Sequence, residues 1–180
     1  MFEKSKIRKE IKKRLSELTD EQKRVANETI AAAFLSSREF LKAQTLFIYY
    51  STPDEADTHR VIDAALAAGK KVFLPRVEGV DMKLIPFGGE SVMQKGVYGV
   101  LEPVGEPTME DPDLAVIPLV GFDKNRRRLG RGKGYYDRFL ASYTGRTVAL
   151  AFSVQEAETI PTESFDVSPE VIITEKERLQ

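Results

Sequence analysis

The sequence predicts a single α/β domain of three layers, a mostly parallel sheet flanked by helices, and three observations carry that prediction. From residue 45 onward, short apolar runs rich in β-formers alternate with helical stretches, the pattern of βαβ units. One run, Leu114 to Val120, is apolar throughout, as a strand covered on both faces should be. No linker, repeat or low-complexity tract interrupts the 180 residues, so residues 1–180 read as one domain, long enough to bury roughly 70% of its unfolded surface without a staple.

Each element has a local reason. Ile7, Ile11, Leu15 and Leu18 recur at spacings of four, four and three, which lines one face of a first helix ending near Leu18. Thr19-Asp20-Glu21-Gln22 has the form of a capping box and starts a second helix toward Phe34, with a short third turn over Glu39 to Lys42. Thr45 to Tyr50 reads as a strand, Thr58 to Ala68 as an alanine-rich helix stopped by Gly69-Lys70, and Val72 to Leu74 as the next strand. Met82 to Phe87 and Val97 to Leu101 are weaker strands on either side of Gly88-Gly89. Beyond Leu114 to Val120, the chain reads as a helix over Gly134 to Ser142, a strand over Thr147 to Phe152 and a last strand over Val171 to Thr174.

Composition narrows the function classes. Lys and Arg number 27 against 28 Asp and Glu, for a formal charge of -1, and cysteine is absent. A thiol nucleophile, a zinc ribbon and an iron–sulfur centre are thereby excluded. No window approaches the ~18 apolar residues that span a bilayer. The charged start Met1-Phe2-Glu3-Lys4-Ser5-Lys6 lacks a leader's apolar stretch, so cytoplasmic residence without a membrane partner is expected. The near-neutral total hides an asymmetry: residues 1–14 and residues 123–138 each carry seven Lys or Arg against two carboxylates, leaving the rest of the chain strongly acidic. Two short basic segments on an acidic body point to a local anion site, and away from a nucleic-acid-binding module built on broad basic surface.

Ligands of open α/β sheets bind beyond the carboxyl ends of the strands, which marks Ser51 to Asp57, Pro75-Arg76, Gly121 to Lys133 and the segment from Ser153 onward. The third is the most informative. Gly130, Gly132 and Gly134 let the backbone turn and point amides inward, Arg128, Arg131 and Lys133 add cationic donors, and Gly134 opens a helix whose N-terminus favours an anion. This is a phosphate-holding loop of neither familiar type. A Walker loop needs a hydroxyl after its lysine, where Gly134 stands, and the dinucleotide fingerprint needs a glycine at Tyr135, so the fold is Rossmann-like without that fingerprint.

The run Arg-Leu-Gly-Arg-Gly-Lys-Gly-Tyr-Tyr-Asp-Arg (residues 128–138) resembles the signature of the 5-formyltetrahydrofolate cyclo-ligases. The likeness extends to Lys4-x-x-x-Arg8, Glu55-Ala56-Asp57-Thr58, Gly69 to Arg76, Tyr98 to Pro103 and Gly121-Phe122-Asp123, and so spans the chain. It implies a monomeric, ATP- and magnesium-dependent ligase of one-carbon metabolism that closes 5-formyltetrahydrofolate to 5,10-methenyltetrahydrofolate, with ADP and phosphate released. The formyl oxygen attacks the γ-phosphate, an imino-phosphate forms, and the neighbouring amine displaces phosphate. A folate-binding homologue without turnover is the competing reading within the family.

Residue by residue, the resemblance gives Arg128, Arg131 and Lys133 the catalytic role. It assigns ATP to Lys4, Arg8 and the stretch Arg128, Leu129, Gly130, Arg131, Gly132, Lys133, Gly134, Tyr135 and Tyr136. Folate contacts fall to Tyr50, Glu55, Tyr98 and Tyr135, with Glu102 as polar lining, and magnesium ligands to Asp137 and Glu170. Physical chemistry agrees on the cations, because phosphoryl transfer depends mainly on positioning and on neutralising phosphate oxygens. Lys4 and Arg8 lie one helical turn apart and project from one side. His59, the sole histidine, has no part in this chemistry.

Overall fold

The computed structural model describes residues 2–180, with side chains from Glu3 onward; Met1 lies outside the described residues. Three helices come first: α1 (Phe2–Ser16), α2 (Asp20–Leu35) and α3 (Arg38–Lys42). The Thr19 capping box forms as expected, its hydroxyl accepting from the Gln22 N–H and the Gln22 side chain accepting from the Thr19 N–H. Then follow β1 (Thr45–Ile48), α4 (His59–Ala67), β2 (Lys71–Glu78), β3 (Asp81–Phe87), β4 (Met93–Lys95), β5 (Leu101–Pro103) and β6 (Leu114–Ile117). The chain closes with β7 (Gly121–Phe122), β8 (Arg128–Leu129), α5 (Tyr135–Leu140), β9 (Arg146–Leu150), β10 (Val171–Ile173) and β11 (Arg178–Leu179).

Seven strands form the main sheet in the order β11-β10-β9-β6-β1-β2-β3. The five inner strands run parallel, and only the edges, β3 and β11, are antiparallel. Because strand side chains alternate between faces, each inner strand feeds two cores. Leu46, Ile48, Val72, Leu74, Val116 and Val148 join one with the buried residues of α1, α2 and α4. Phe47, Phe73, Ala115, Ile117 and Ala149 join the other with Leu140 of α5 and its neighbour Phe139. The three layers are therefore unequal: four helices cover one face, and a six-residue helix with irregular chain covers the other.

Several boundaries differ from expectation, each for a local reason. The run from Leu114 stops pairing at Ile117 because Pro118 offers no N–H and the chain leaves for β7. β2 continues past Leu74 through Pro75. β1 pairs with it only as far as Phe73, so the imide falls where that edge is already free. Val97 to Leu101 is not one strand, since only Leu101 is extended, as the first residue of β5: Gly96 to Val100 is the turn joining β4 to β5, closed by the Gly96 N–H on the Val100 carbonyl with Gly99 at φ 73°. Tyr98 consequently sits half exposed at the tip of a hairpin.

The order places β1 centrally, with β2 on one side and β6 on the other, so the chain reverses its winding between β1 and β6. That point is where a crevice opens in such sheets. The amino ends of the same two strands are tied by Asp113, whose Oδ2 accepts from the N–H groups of Gln44 (2.7 Å) and Thr45 (3.0 Å). Those backbone bonds hold its carboxyl below the usual range. A depressed folded pKa stabilises above the unfolded value, and the gain is lost as pH falls through the folded value. Thermal melts of Asp113→Asn should therefore show the largest deficit from wild type near pH 7, narrowing below about pH 4.

Candidate active site

Beyond the carboxyl ends of β1 and β6 lies a cleft of about 250 Å³. One wall comes from the segment after β1 (Tyr50, Thr52, Glu55), another from the loop between β8 and α5, and a third from β2, β3 and the β4–β5 hairpin. Of the four strand-end segments marked in the sequence, Ser153 onward stays out of the cleft. It supports the floor instead: the Gln155 amide donates to the carbonyls of Leu119 (3.2 Å) and Val120 (3.1 Å).

The glycine-rich loop is anchored at its start by buried charge. At its start Arg128 is buried, its side chain 3% exposed, and its guanidinium is ion-paired with Asp137 of α5 while donating to the carbonyls of Pro118 and Val167. Upstream, the Asp123 carboxylate, 1% exposed, accepts from the N–H groups of Asn125, Arg127 and Ile160 and so fixes the β7–β8 turn. From α1, Arg8 Nε donates to the Gly130 carbonyl at 2.8 Å. Gly132 (φ 90°) and Gly134 (φ 71°) occupy the left-handed region that side chains avoid, which lets the loop fold over the cleft. The helix it opens is six residues long, shorter than the expected Gly134 to Ser142.

The cations of the loop differ in their attachments. Arg131 reaches across the cleft, its Nη2 at 2.8 Å from both Glu55 Oε1 and Thr52 Oγ1. Lys133 has no carboxylate partner among the described residues and lies 5.5 Å from the centroid of the Tyr98 ring. Leu129 is buried and offers only its backbone to a ligand. Tyr135, in contrast, shares a 3.0 Å hydroxyl contact with Tyr98, which raises its pKa. Burial does the same to Tyr136 and Tyr49, so these phenols remain protonated at neutral pH. Tyr50 lines the cleft with its ring 4.2 Å from that of His59, which does not.

The two carboxylates expected to share a metal are not brought together. Asp137 lines the cleft, whereas Glu170 lines a separate surface hollow and pairs with Arg146 at 2.7 Å. Asp137 is met instead by the backbone of Val167, whose N–H donates to its Oδ1 at 3.3 Å, and the residue before Val167 is another carboxylate, Asp166. Asp166 meets Lys4 at 2.5 Å, which is where that predicted phosphate contact is found. Burial opposes the charge on Asp166, but the Lys4 ammonium and the Glu163 N–H outweigh it and hold the carboxyl below its usual range. No sequence pattern marks Asp166, because an irregular segment delivers it.

A family model described as the 5-formyltetrahydrofolate cyclo-ligase family matches residues 1–175. Among curated proteins, the 5-formyltetrahydrofolate cyclo-ligase of Haemophilus influenzae is 30% identical over 171 residues, 89% of this chain and 91% of that one. The one of Escherichia coli K12 is 28% identical, covering 91% of this chain and 96% of its own. Among solved structures, 5,10-methenyltetrahydrofolate synthetase of Aquifex aeolicus matches with a TM-score of 0.86 and 34% identity, over 97% of this chain and 91% of that chain. The synthetase of Mycoplasma pneumoniae matches with a TM-score of 0.74 and 25% identity, over 96% and 98% of the respective chains.

The buried pair at the root of the loop has a measurable consequence. Replacing Arg128 by Met leaves Asp137 uncompensated and should cost about 3 kcal/mol in urea unfolding, while adding Asp137→Leu to that variant should restore most of the loss.

Proposed function

This chain belongs to the 5-formyltetrahydrofolate cyclo-ligase family and is an enzyme of that class, and from this premise we propose how its cleft runs the reaction. ATP and 5-formyltetrahydrofolate are the substrates, 5,10-methenyltetrahydrofolate, ADP and phosphate the products. The observation that carries this reading is the convergence in one cleft of a cation-rich glycine loop with a wall of tyrosines and carboxylates. Because the basic α1 meets the basic loop through Arg8 and Gly130, the two positive segments make one compact anion site, which suits a triphosphate better than an extended nucleic acid.

The nucleotide phosphates lie along the Gly130 to Gly134 amides, with Lys133 and Arg131 as movable cations and Arg128 fixed behind them. An amide oxygen is a poor leaving group, and phosphorylating it makes the formyl carbon open to attack. The formyl oxygen attacks the γ-phosphate, ADP leaves, and the resulting imino-phosphate is attacked by the neighbouring amine. The amine loses its proton and phosphate departs, which closes the ring. The protein's share is to align the oxygen with the phosphorus and to neutralise charge on the phosphate oxygens. The phenols of Tyr50, Tyr98 and Tyr135 stack on and donate to the folate, and Glu55 accepts from its donor edge.

Magnesium would be held by Asp137 and Asp166, whose Oδ2 and Oδ1 atoms, respectively, make no hydrogen bond among the described residues, since carboxylate oxygens suit a hard cation. When bound it neutralises part of the triphosphate charge. A cleft formed entirely within one chain supports a monomeric enzyme, which we place in the cytoplasm.

Purified enzyme given 5-formyltetrahydrofolate and Mg-ATP should generate the methenyl product, followed by its near-ultraviolet absorbance, and absence of product would refute the reading. Lys133→Ala should lower kcat/KM by about 100-fold, as loss of one transition-state donor does. Its melting temperature should match wild type, since the side chain is exposed and holds nothing together.

A further inference from the structure

Three carboxylates line the cleft wall to wall: Glu55, Asp137 and Glu102. The first is paired with Arg131 and the second with Arg128. Glu102 has no cationic partner among the described residues, although it is 8% exposed and lies beside Val77, Met82 and Val100 of an apolar wall. Its Oε1 accepts one hydrogen bond, from the Val77 N–H at 3.1 Å, and its Oε2 accepts none among the described residues.

The fold makes room for this charge. On β5, Leu101 points outward and Glu102 inward, where alternation calls for an apolar side chain. Across the hairpin stands Gly96, and a Cβ there would fall 2.2 to 2.7 Å from the carboxylate atoms of Glu102. The backbone of Gly96 is not in the left-handed region, so the glycine serves space and not conformation. A buried carboxylate with one neutral donor and no counter-charge is costly, and a ligand that brings N–H groups offsets that cost.

We infer that Glu102 is a binding and specificity residue for the folate: its Oε2 accepts an N–H of the reduced pterin ring, and its uncompensated charge turns away anionic groups. The inference rests on the cleft being the folate site. The pterin bears an exocyclic amine and ring N–H groups, whereas the far end of the molecule carries carboxylates. One unneutralised acceptor in an apolar wall therefore fixes which end enters, and Gly96 is the positioning residue that keeps the acceptor aimed.

The test measures both substrates on the full-length enzyme. Glu102→Leu should raise the KM for 5-formyltetrahydrofolate by about 10- to 100-fold, as loss of a hydrogen bond to a charged group does, with the KM for ATP within about twofold of wild type. Glu102→Gln keeps both an acceptor oxygen and the Val77 bond, so it should fold normally and recover most of the folate affinity. Gly96→Ala should produce the same folate-selective rise with Glu102 still present. Calorimetric titration of 5-formyltetrahydrofolate into nucleotide-free enzyme should rank the variants identically. A Glu102→Leu enzyme that melts earlier but keeps its folate KM would make the residue a strut between β5 and β2, overturning the inference. So would equal rises in both KM values. A wild-type enzyme that neither binds nor turns over 5-formyltetrahydrofolate would instead sink the reading of the cleft itself.

Discussion

The structure depends on one constraint: a loop dense in positive charge has to be held open over a cleft before any anion arrives. Neighbouring cations repel, and a glycine-rich backbone has little stiffness of its own. The solution is to bury the first of them. Arg128, enclosed and paired with Asp137, ties β8 to α5 on either side of the loop, while Asp123 and Arg8 pin the backbone before and within it. The loop is thereby fixed by its ends and underside. Lys133, which has no carboxylate partner among the described residues and only the Tyr98 ring beside it, remains available to a ligand.

The sheet explains why that loop faces the residues it does. β1 and β6 are neighbours, yet the chain turns in opposite directions after them, so their following segments part and leave a crevice. The segment after β1 carries Thr52 and Glu55 and the segment after β6 leads into the glycine loop, which brings residues far apart in sequence to hydrogen-bond distance. The hairpin of β4 and β5 adds the third wall from outside the main sheet, and its tip meets the loop through Tyr98 and Tyr135.

Much of this was legible in the sequence, and the failures have physical causes. Strand alternation, the Thr19 box and the glycine at 134 are local signals, and the structure follows them. Val97 to Leu101 misled because its β-forming residues were weighed without the glycines at 96 and 99, which turn the chain. Glu170 follows from the family's C-terminal carboxylate position, and the fold sets it in a separate hollow paired with Arg146. Asp166 was illegible for the complementary reason: it stands in a segment without periodicity, placed by Lys4, itself some 160 positions away in sequence. Glu102 looked like lining because its significance is a missing partner, which only coordinates reveal.

The two open flanks of the cleft differ in how their charge is balanced. On one, Arg131 and Glu55 neutralise each other across the gap, so an anion that draws Arg131 away leaves the carboxylate with Thr52 alone, and a donor that occupies Glu55 frees the guanidinium. Ligands of opposite polarity on that flank are therefore complementary, each relieving the competitor of the other. On the hairpin flank no such exchange exists, because Glu102 has no cation to surrender. In the proposed reading, such a cleft accepts charged phosphates by rearranging an ion pair already in place, and a nitrogen-rich ring by satisfying an acceptor that the protein leaves incomplete.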